Sequence, residues 1–335
     1  MIADLQQMCG RTVCWGAVFV VACGSPVEVE APDPFWTEGP ALPIPLQSFG
    51  AALHDGLIYV AGGQTLGRAT ISAVFRIDPR GGSWERVADL PRARTGAHLT
   101  VAGDSLFSVG GSNISSDGFT TVGRELYVYD PTSDTWDRRE NFPDRRSGAQ
   151  TVGTTDRIVV VGGGLGSVDH GGLTPGDTVG IYDLAAATWR YGSALTVPRV
   201  FSVTAYVDDR IYLFGGSNAI DFTPVNNIDV YDVAADSWTT LDHEIGPQLK
   251  SARNQSVAVL GDKIHFFGGF IPAGFALIDD HFVYDLSTGT WENSTPMPTP
   301  RSASAIAVDG AIWVIGGVLW VGSDGMSEVV EIYKP

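Results

Sequence analysis

The run Leu57-Ile58-Tyr59-Val60-Ala61-Gly62-Gly63 decides the fold, because the chain contains it six times. The other copies read LFSVGG (106–111), IVVVGG (158–163), IYLFGG (211–216), IHFFGG (264–269) and IWVIGG (312–317). The first glycines, 62, 110, 162, 215, 268 and 316, are 48, 52, 53, 53 and 48 residues apart. A fixed period of this size marks a repeat architecture, in which each repeat is one supersecondary unit. Every run is rich in β-branched and aromatic residues, as a buried strand requires. Each follows a turn: HDG, AGDS, TTDR, VDDR, LGDK or VDG. A small-residue segment such as GAHLTV (96–101) or SASAIAV (302–308) lies before the turn. Each repeat therefore opens with an antiparallel hairpin.

A second landmark follows each doublet. Aspartate and tryptophan recur six residues apart, at Asp78–Trp84, Asp130–Trp136, Asp183–Trp189, Asp232–Trp238 and Asp285–Trp291. In four of the five a tyrosine precedes the aspartate: Tyr129, Tyr182, Tyr231 and Tyr284. This reads as a third strand, a turn capped by the aspartate side chain, and a fourth strand beginning at the tryptophan. The two aromatics supply large flat areas for packing between stacked sheets.

Strand, Gly-Gly, Tyr and Trp at a period of ~50 residues resemble the kelch repeat. The resemblance covers residues 35–335. It implies an all-β, six-bladed kelch β-propeller with four-stranded antiparallel blades. The sixth doublet is followed by VVEIYKP, with Tyr333 at the third-strand tyrosine position and no tryptophan after it. The unmatched Trp36 in PFWTEG lies at the other end of the repeat region. The N-terminal strand around Trp36 is therefore expected to complete the last blade, which closes the ring and removes an open edge. Trp313 and Trp320 stand outside the repeat grid. The first is expected in the core and the second in a loop.

Composition fits a folded domain. The 335 residues are 44% hydrophobic and 18% charged, with 41 glycines. A chain of this length can bury a large core without staples. Net charge is −17, with 21 basic residues of which only Lys250, Lys263 and Lys334 are lysines. Such a balance excludes a phosphate-binding surface for nucleic acid and disfavours non-specific contact with anionic lipid. The three cysteines, Cys9, Cys14 and Cys23, all precede residue 24, so no thiol chemistry is expected in the repeats.

The N-terminal stretch reads as an address. TVCWGAVFVVA (12–22) is too short to span a bilayer and suits the apolar region of a signal peptide. Val20-Val21-Ala22-Cys23 resembles a bacterial lipobox, in which the cysteine becomes the lipidated first residue. The expected organisation is a signal peptide at 1–22, with Met8 as an alternative start, and a Pro- and acid-rich tether at 23–34. The resemblance implies lipidation of Cys23 and anchorage in the cell envelope, at the outer membrane or the periplasmic side.

Function belongs to loops rather than to repeat landmarks. The residue taken as the start of each inner strand is Gln47, Arg94, Arg146, Arg199, Arg253 or Arg301. Equivalent positions in a ring converge on the axis, so these side chains are expected to circle the mouth of the channel. Arginine binds carboxylates bidentately. In kelch propellers of the ubiquitin-ligase adaptor type, matching arginines bind acidic peptides. Two readings stay open. In one the ring holds an acidic ligand; in the other it pairs with loop residues Asp117, Asp169, Asp177, Asp221, Asp279, Asp280 and Asp324 to tie blades together.

Other motifs are absent. No Gly-Lys dipeptide, GxSxG or HExxH occurs. Asp169-His170 and Asp280-His281 are too small to ligate a metal, and His98 and His265 fall in strands. Neither metal nor cofactor is expected. Two functional readings follow. One is an extracytoplasmic binding or scaffold module for an acidic ligand, peptide, glycan or protein, with no nucleic-acid partner and no membrane contact beyond the lipid. The other is a periplasmic carbohydrate enzyme similar to the sialic acid mutarotase (N-acetylneuraminate epimerase) family. There the arginines would hold a carboxylate, and Glu244 or Asp221 would move protons.

Overall fold

A computed structural model of the chain describes residues 35–114, 120–165, 174–218, 223–246, 255–271, 276–320 and 325–335. The signal and tether segments, with all three cysteines, lie outside these residues. So do Arg253, Asp117, Asp169, His170, Asp221 and Asp324. No helix among the described residues is long and apolar enough to cross a membrane.

Six four-stranded antiparallel sheets form the blades. Blade 1 runs outward from the axis as Gly50–His54, Leu57–Ala61, Val74–Ile77 and Glu85–Val87. Blades 2 to 5 repeat this order from innermost strands at His98–Ala102, Gln150–Gly153, Val203–Val207 and Ser256–Leu260. Blade 6 comprises Ser302–Val308, Ala311–Val318 and Val330–Tyr333, and its outermost strand is Trp36–Glu38. Trp36 sits opposite Tyr333, the register that Trp136, Trp189, Trp238 and Trp291 hold with their own tyrosines. The N-terminal closure expected from the unmatched tryptophan is thus the observed one.

Burial explains the sequence pattern strand by strand. The second strand of each blade has sheet neighbours on both sides and sheets packed on both faces. It is therefore apolar nearly throughout, as in Ile58–Ala61, Ile158–Val161 and Ile264–Phe267. The outermost strands are mostly exposed and carry charge, apart from their tryptophan.

The tryptophans tie blade to blade. The Trp84 indole donates to the Pro40 carbonyl at 2.8 Å, Trp136 to Ala88 at 2.9 Å, Trp189 to Glu140 at 2.9 Å and Trp238 to Ser193 at 2.9 Å. Each acceptor lies in the connection leaving the preceding blade. Trp36 reaches Thr295 in the same way at 3.4 Å, so the ring is closed by the contact used at four of its other joints; the Trp291 indole N–H is buried without a hydrogen-bond partner. The repeat aspartates accept backbone N–H bonds within the turns that follow them, as expected. Asp130 takes Thr132 at 2.8 Å and Asp285 takes Ser287 at 2.9 Å. Hydrogen bonds from Ser287 and Thr288 hold the Asp285 carboxyl far below the usual range. Trp313 lies in the core, and Trp320 is exposed in a loop.

Both doublet glycines take positive φ, at Gly268 54° and at Gly269 102°. A Cβ on Gly268 would sit 2.1 Å from the Arg301 carbonyl oxygen. The doublet is where the chain entering the next blade crosses the end of the second strand, which leaves no room for a side chain.

Candidate functional site

The doublets place two sets of segments at one end of the ring: the hairpins that follow them and the connections between blades. Three of the hairpins are small two-stranded sheets beginning at Gln64, Ser112 and Phe270, and the one beginning at Gly164 is joined by Arg146–Ser147 into a three-stranded sheet. A cavity of about 670 Å³ opens there and descends between the innermost strands of all six blades. This size suits a small ligand or a protruding side-chain cluster. Its described walls carry amides and hydroxyls from each blade, among them Gln64, Thr95, Gln150, Thr204, Gln255 and Ser304. No carboxylate and no lysine is among the described lining residues. His98 also lines it, and burial pushes that imidazole below its ordinary pKa, so it is neutral at pH 7.

The arginines stand elsewhere than the sequence suggested. Arg94, Arg146, Arg199 and Arg301 are buried, and of these four only Arg146 borders the axial cavity, so the described arginines do not form a ring of guanidiniums on the axis. Each precedes the innermost strand, which begins at His98, Gln150, Val203 or Ser302. In blades 2 to 4 a left-handed residue intervenes: Gly96 (φ 62°), Gly148 (φ 64°) or Phe201 (φ 57°). The chain turns at that residue; Thr95 and Arg146 before it and Gln150 and Thr204 after it all border the cavity, whereas Arg94 and Arg199 do not.

The guanidiniums have internal partners. Arg94 Nη2 lies 2.8 Å from Glu125. Arg146 donates to Asp144 at 2.9 Å, to the Gly162 carbonyl at 2.8 Å and to that of Thr178 at 3.1 Å. Arg199 pairs with Asp229 and reaches the Gly215 carbonyl at 3.4 Å. Arg301 pairs with Glu331 and donates to Gly316, Val314 and Thr299 carbonyls at 3.0–3.1 Å. Burial pulls the Arg199 and Arg301 pKa values down, against the pull of their carboxylates.

The same residues join neighbouring blades through their backbone. The carbonyls of Arg94, Arg199 and Arg301 accept the N–H of Gly63, Gly163 and Gly269 from the preceding blade. The blade 1 equivalent is not Gln47 but Leu46, whose carbonyl accepts from Gly317 at 2.8 Å. Gln47 sits one position later, pairs with Gln64 across two backbone bonds, and lines the cavity. Counting 16 residues back from Gly62, rather than 15, marks Leu46 in the sequence. The loop aspartates named as possible partners differ from those found: Asp144, Asp229, Glu125 and Glu331 do the pairing.

The other candidates fall into place individually. Glu244 is exposed on the outermost strand of blade 4, away from the described cavity lining. Asp280 and His281 do not converge with a third ligand. No group of three or more His, Cys, Asp or Glu able to hold a metal occurs among the described residues. His281 instead receives His265 at 2.9 Å and meets the Thr295 carbonyl at 3.0 Å, deep between blades 5 and 6. Burial lowers these imidazoles to about 4 for His265 and about 3 for His281.

The comparisons with known proteins agree with this architecture. The family model described as the KLHDC2/KLHL20/DRC7 Kelch-repeats domain matches residues 140–317, and the Kelch motif matches residues 45–91. Beta-scruin of Limulus polyphemus is 27% identical over 278 residues, which are 78% of this chain and 29% of that protein. Kelch-like protein terF of Aspergillus terreus is 24% identical over 87% of this chain and 65% of its own length. Kelch-like protein 36 of Rattus norvegicus is 26% identical over 77% and 41%. The chain thus spans less than two thirds of each of these relatives. The solved structure of YjhT superimposes with a TM-score of 0.71 at 15% identity, covering 88% of this chain and 96% of that one. With the doublet grid, the Tyr–Trp register and a family match over residues 140–317, this chain belongs to the kelch-repeat family.

Proposed function

We propose that the protein is a binding module that docks a protein partner on the doublet end of the propeller. The observation that carries this is a pair of exposed apolar side chains in neighbouring loops. Leu66, in the hairpin after the blade 1 doublet, is 50% exposed, and Trp320, in the loop after the blade 6 doublet, is 53% exposed. Blades 6 and 1 adjoin here through the Leu46–Ser327 bridge. Tryptophan is the side chain most enriched among residues that dominate binding energy. Rigid loops offering such anchors are how repeat propellers present a surface. Acid recognition draws no support from the four described arginines, whose charge is engaged internally. A photo-crosslinking residue at position 320, compared with one at Asp104 on the opposite end, tests the reading in the native host. A discrete adduct from position 320 alone supports it. Adducts at both positions, or at neither, reject it.

We also propose, from Val20–Cys23 alone, that the chain is exported and lipidated on Cys23. Cys23→Ala should move the protein from the membrane fraction to the soluble one. Unchanged fractionation would reject the anchor.

A further inference from the structure

We infer that the doublet-end surface beside Leu66 takes an acidic segment of the protein partner, held by four exposed arginines, Arg68, Arg92, Arg124 and Arg145. This inference rests on the docking reading of Leu66 and Trp320 and adds the charge of the partner to it. None of the four is among the buried arginines Arg94, Arg146, Arg199 and Arg301.

The first argument is where unpaired positive charge lies. All four residues are exposed. Arg68 ends the Leu66–Arg68 turn, so it shares one turn with the Leu66 anchor. Arg92 lies in the connection from blade 1 to blade 2, two residues before the Arg94 carbonyl that receives Gly63. Arg124 precedes the third strand of blade 2, and Arg145 lies in the connection to blade 3. The blade 1 and blade 2 hairpins meet where the Ile114 N–H donates to Thr70 Oγ1 at 3.4 Å. The four arginines thus follow one another along the doublet end of blades 1 and 2. Among the described residues, Arg68 and Arg92 make no side-chain hydrogen bond or ion pair, and Arg124 and Arg145 donate only to the Pro143 and Val122 carbonyls. The neighbouring carboxylates are occupied, Asp89 by Arg86, Glu125 by Arg94 and Asp144 by Arg146. Only Glu140 stands in these connecting segments without an ion pair among the described residues.

The second argument is the contrast with the rest of the molecule. Net charge is −17. At the opposite end, the turn joining the two inner strands of every blade holds an exposed aspartate, from Asp55 in blade 1 to Asp309 in blade 6. Charges farther apart than the Debye length, ~8 Å at physiological ionic strength, are largely screened. An approaching segment therefore meets the local arc rather than the net charge. Guanidinium forks match carboxylates. An acidic segment is attracted at the arc and repelled at the other end, which fixes the face on which the partner docks. Arg68 itself takes a left-handed conformation, φ 61°, which glycine or asparagine adopts at lower cost. Its side chain makes no internal bond that offsets this cost, so what the position supplies is exposed charge beside Leu66.

The test places the photo-crosslinking residue at position 320 of the full chain in the native host, on three backgrounds. These are otherwise wild type, Arg68→Glu with Arg92→Glu, and Arg68→Lys with Arg92→Lys. The glutamate pair should cut the adduct about fivefold or more, and the lysine pair should retain most of it. All three proteins should melt at the same temperature, because neither side chain makes a structural bond. Peptide mapping of the adduct should place the crosslink in a partner segment with more Asp and Glu than Lys and Arg. An undiminished adduct in the glutamate pair, or a crosslinked segment that is not acidic, overturns this inference and leaves the docking reading standing. Equal loss in the two pairs overturns it too, since charge would then not be what the partner reads. No adduct on the wild-type background rejects the docking reading, and this inference with it.

Discussion

Arg199 and Arg301 are the costliest side chains in the molecule to leave alone. Each is essentially inaccessible, at 1% and 0% exposure, and each faces one carboxylate. Asp229 also accepts Asn227 at 2.8 Å and Thr240 at 2.5 Å, so its oxygens are fully engaged. Removing one member strands a buried charge, which costs about 3–5 kcal/mol, whereas removing both can be nearly neutral. Arg199→Met should therefore lower the unfolding free energy by that amount in denaturant titration. Arg199→Met with Asp229→Leu should recover most of it. A single variant as stable as wild type would show that the pair is not structural. The histidines at the ring joint give a second residue-scale expectation. Their folded pKa values, about 4 and about 3, lie below the ordinary value of 6.5. Between pH 6.5 and about 4 the unfolded chain binds more protons, so stability is full above pH 6.5 and falls as pH drops. Each histidine contributes up to about 1.4 kcal/mol per pH unit in that window. Urea unfolding at pH 7 and pH 5 should show the loss, and His265→Gln with His281→Gln should flatten it. A slope that the double variant leaves unflattened would put the proton uptake elsewhere.

At the scale of the element, the repeat was legible because each strand obeys one dominant constraint. The second strand is buried on every side and reads as apolar, and the third and fourth carry tyrosine and tryptophan in register. The connection between blades obeys two constraints at once, and there the reading slipped. Arg94, Arg146 and Arg199 share a spacing with the strand that follows, which suggested an axial ring. The chain turns at a left-handed residue two positions on, and the Arg94 and Arg199 guanidiniums pair with carboxylates inside the blade, which leaves Arg146 alone of the three at the cavity. Only Gly96 and Gly148 hint at that turn in the sequence, while Phe201 conceals it. Gln47 failed for a related reason, since one residue of spacing separates it from Leu46. The doublet itself carries an expectation at this scale. Gly268→Ala would need a left-handed alanine and a Cβ 2.1 Å from the Arg301 carbonyl oxygen. The conformation alone costs on the order of 1–3 kcal/mol, and the clash adds to it. Ala substitution at Gly310, which is left-handed but open, should cost only the conformational part. Equal melting temperatures for the two variants would deny that the connecting strand crosses at the doublet.

Across the whole molecule, stability rests on a ring whose last joint is made by the chain's two ends. Blade 6 takes three strands from residues 302–333 and the fourth from Trp36–Glu38. That strand brings the Trp36 ring against Phe267, His281 and Tyr333. Trp36 is 4% exposed, and the indole bond to Thr295 spans to blade 5. A chain beginning at Gly39 would leave Val330–Tyr333 as an open, largely apolar edge and uncover the aromatic cluster beneath it. Exposed edges of that kind recruit another strand, so the shortened protein should melt well below the full chain and form dimers or larger species in light scattering. A synthetic peptide spanning residues 33–41 should restore the monomer by supplying the missing strand, whereas the same peptide with Trp36→Ala should not. The contrast between the two peptides separates a specific joint from a merely sticky edge. If the shortened chain stays monomeric with an unchanged melting temperature, blade 6 is complete with three strands, and the unmatched tryptophan does not close the ring.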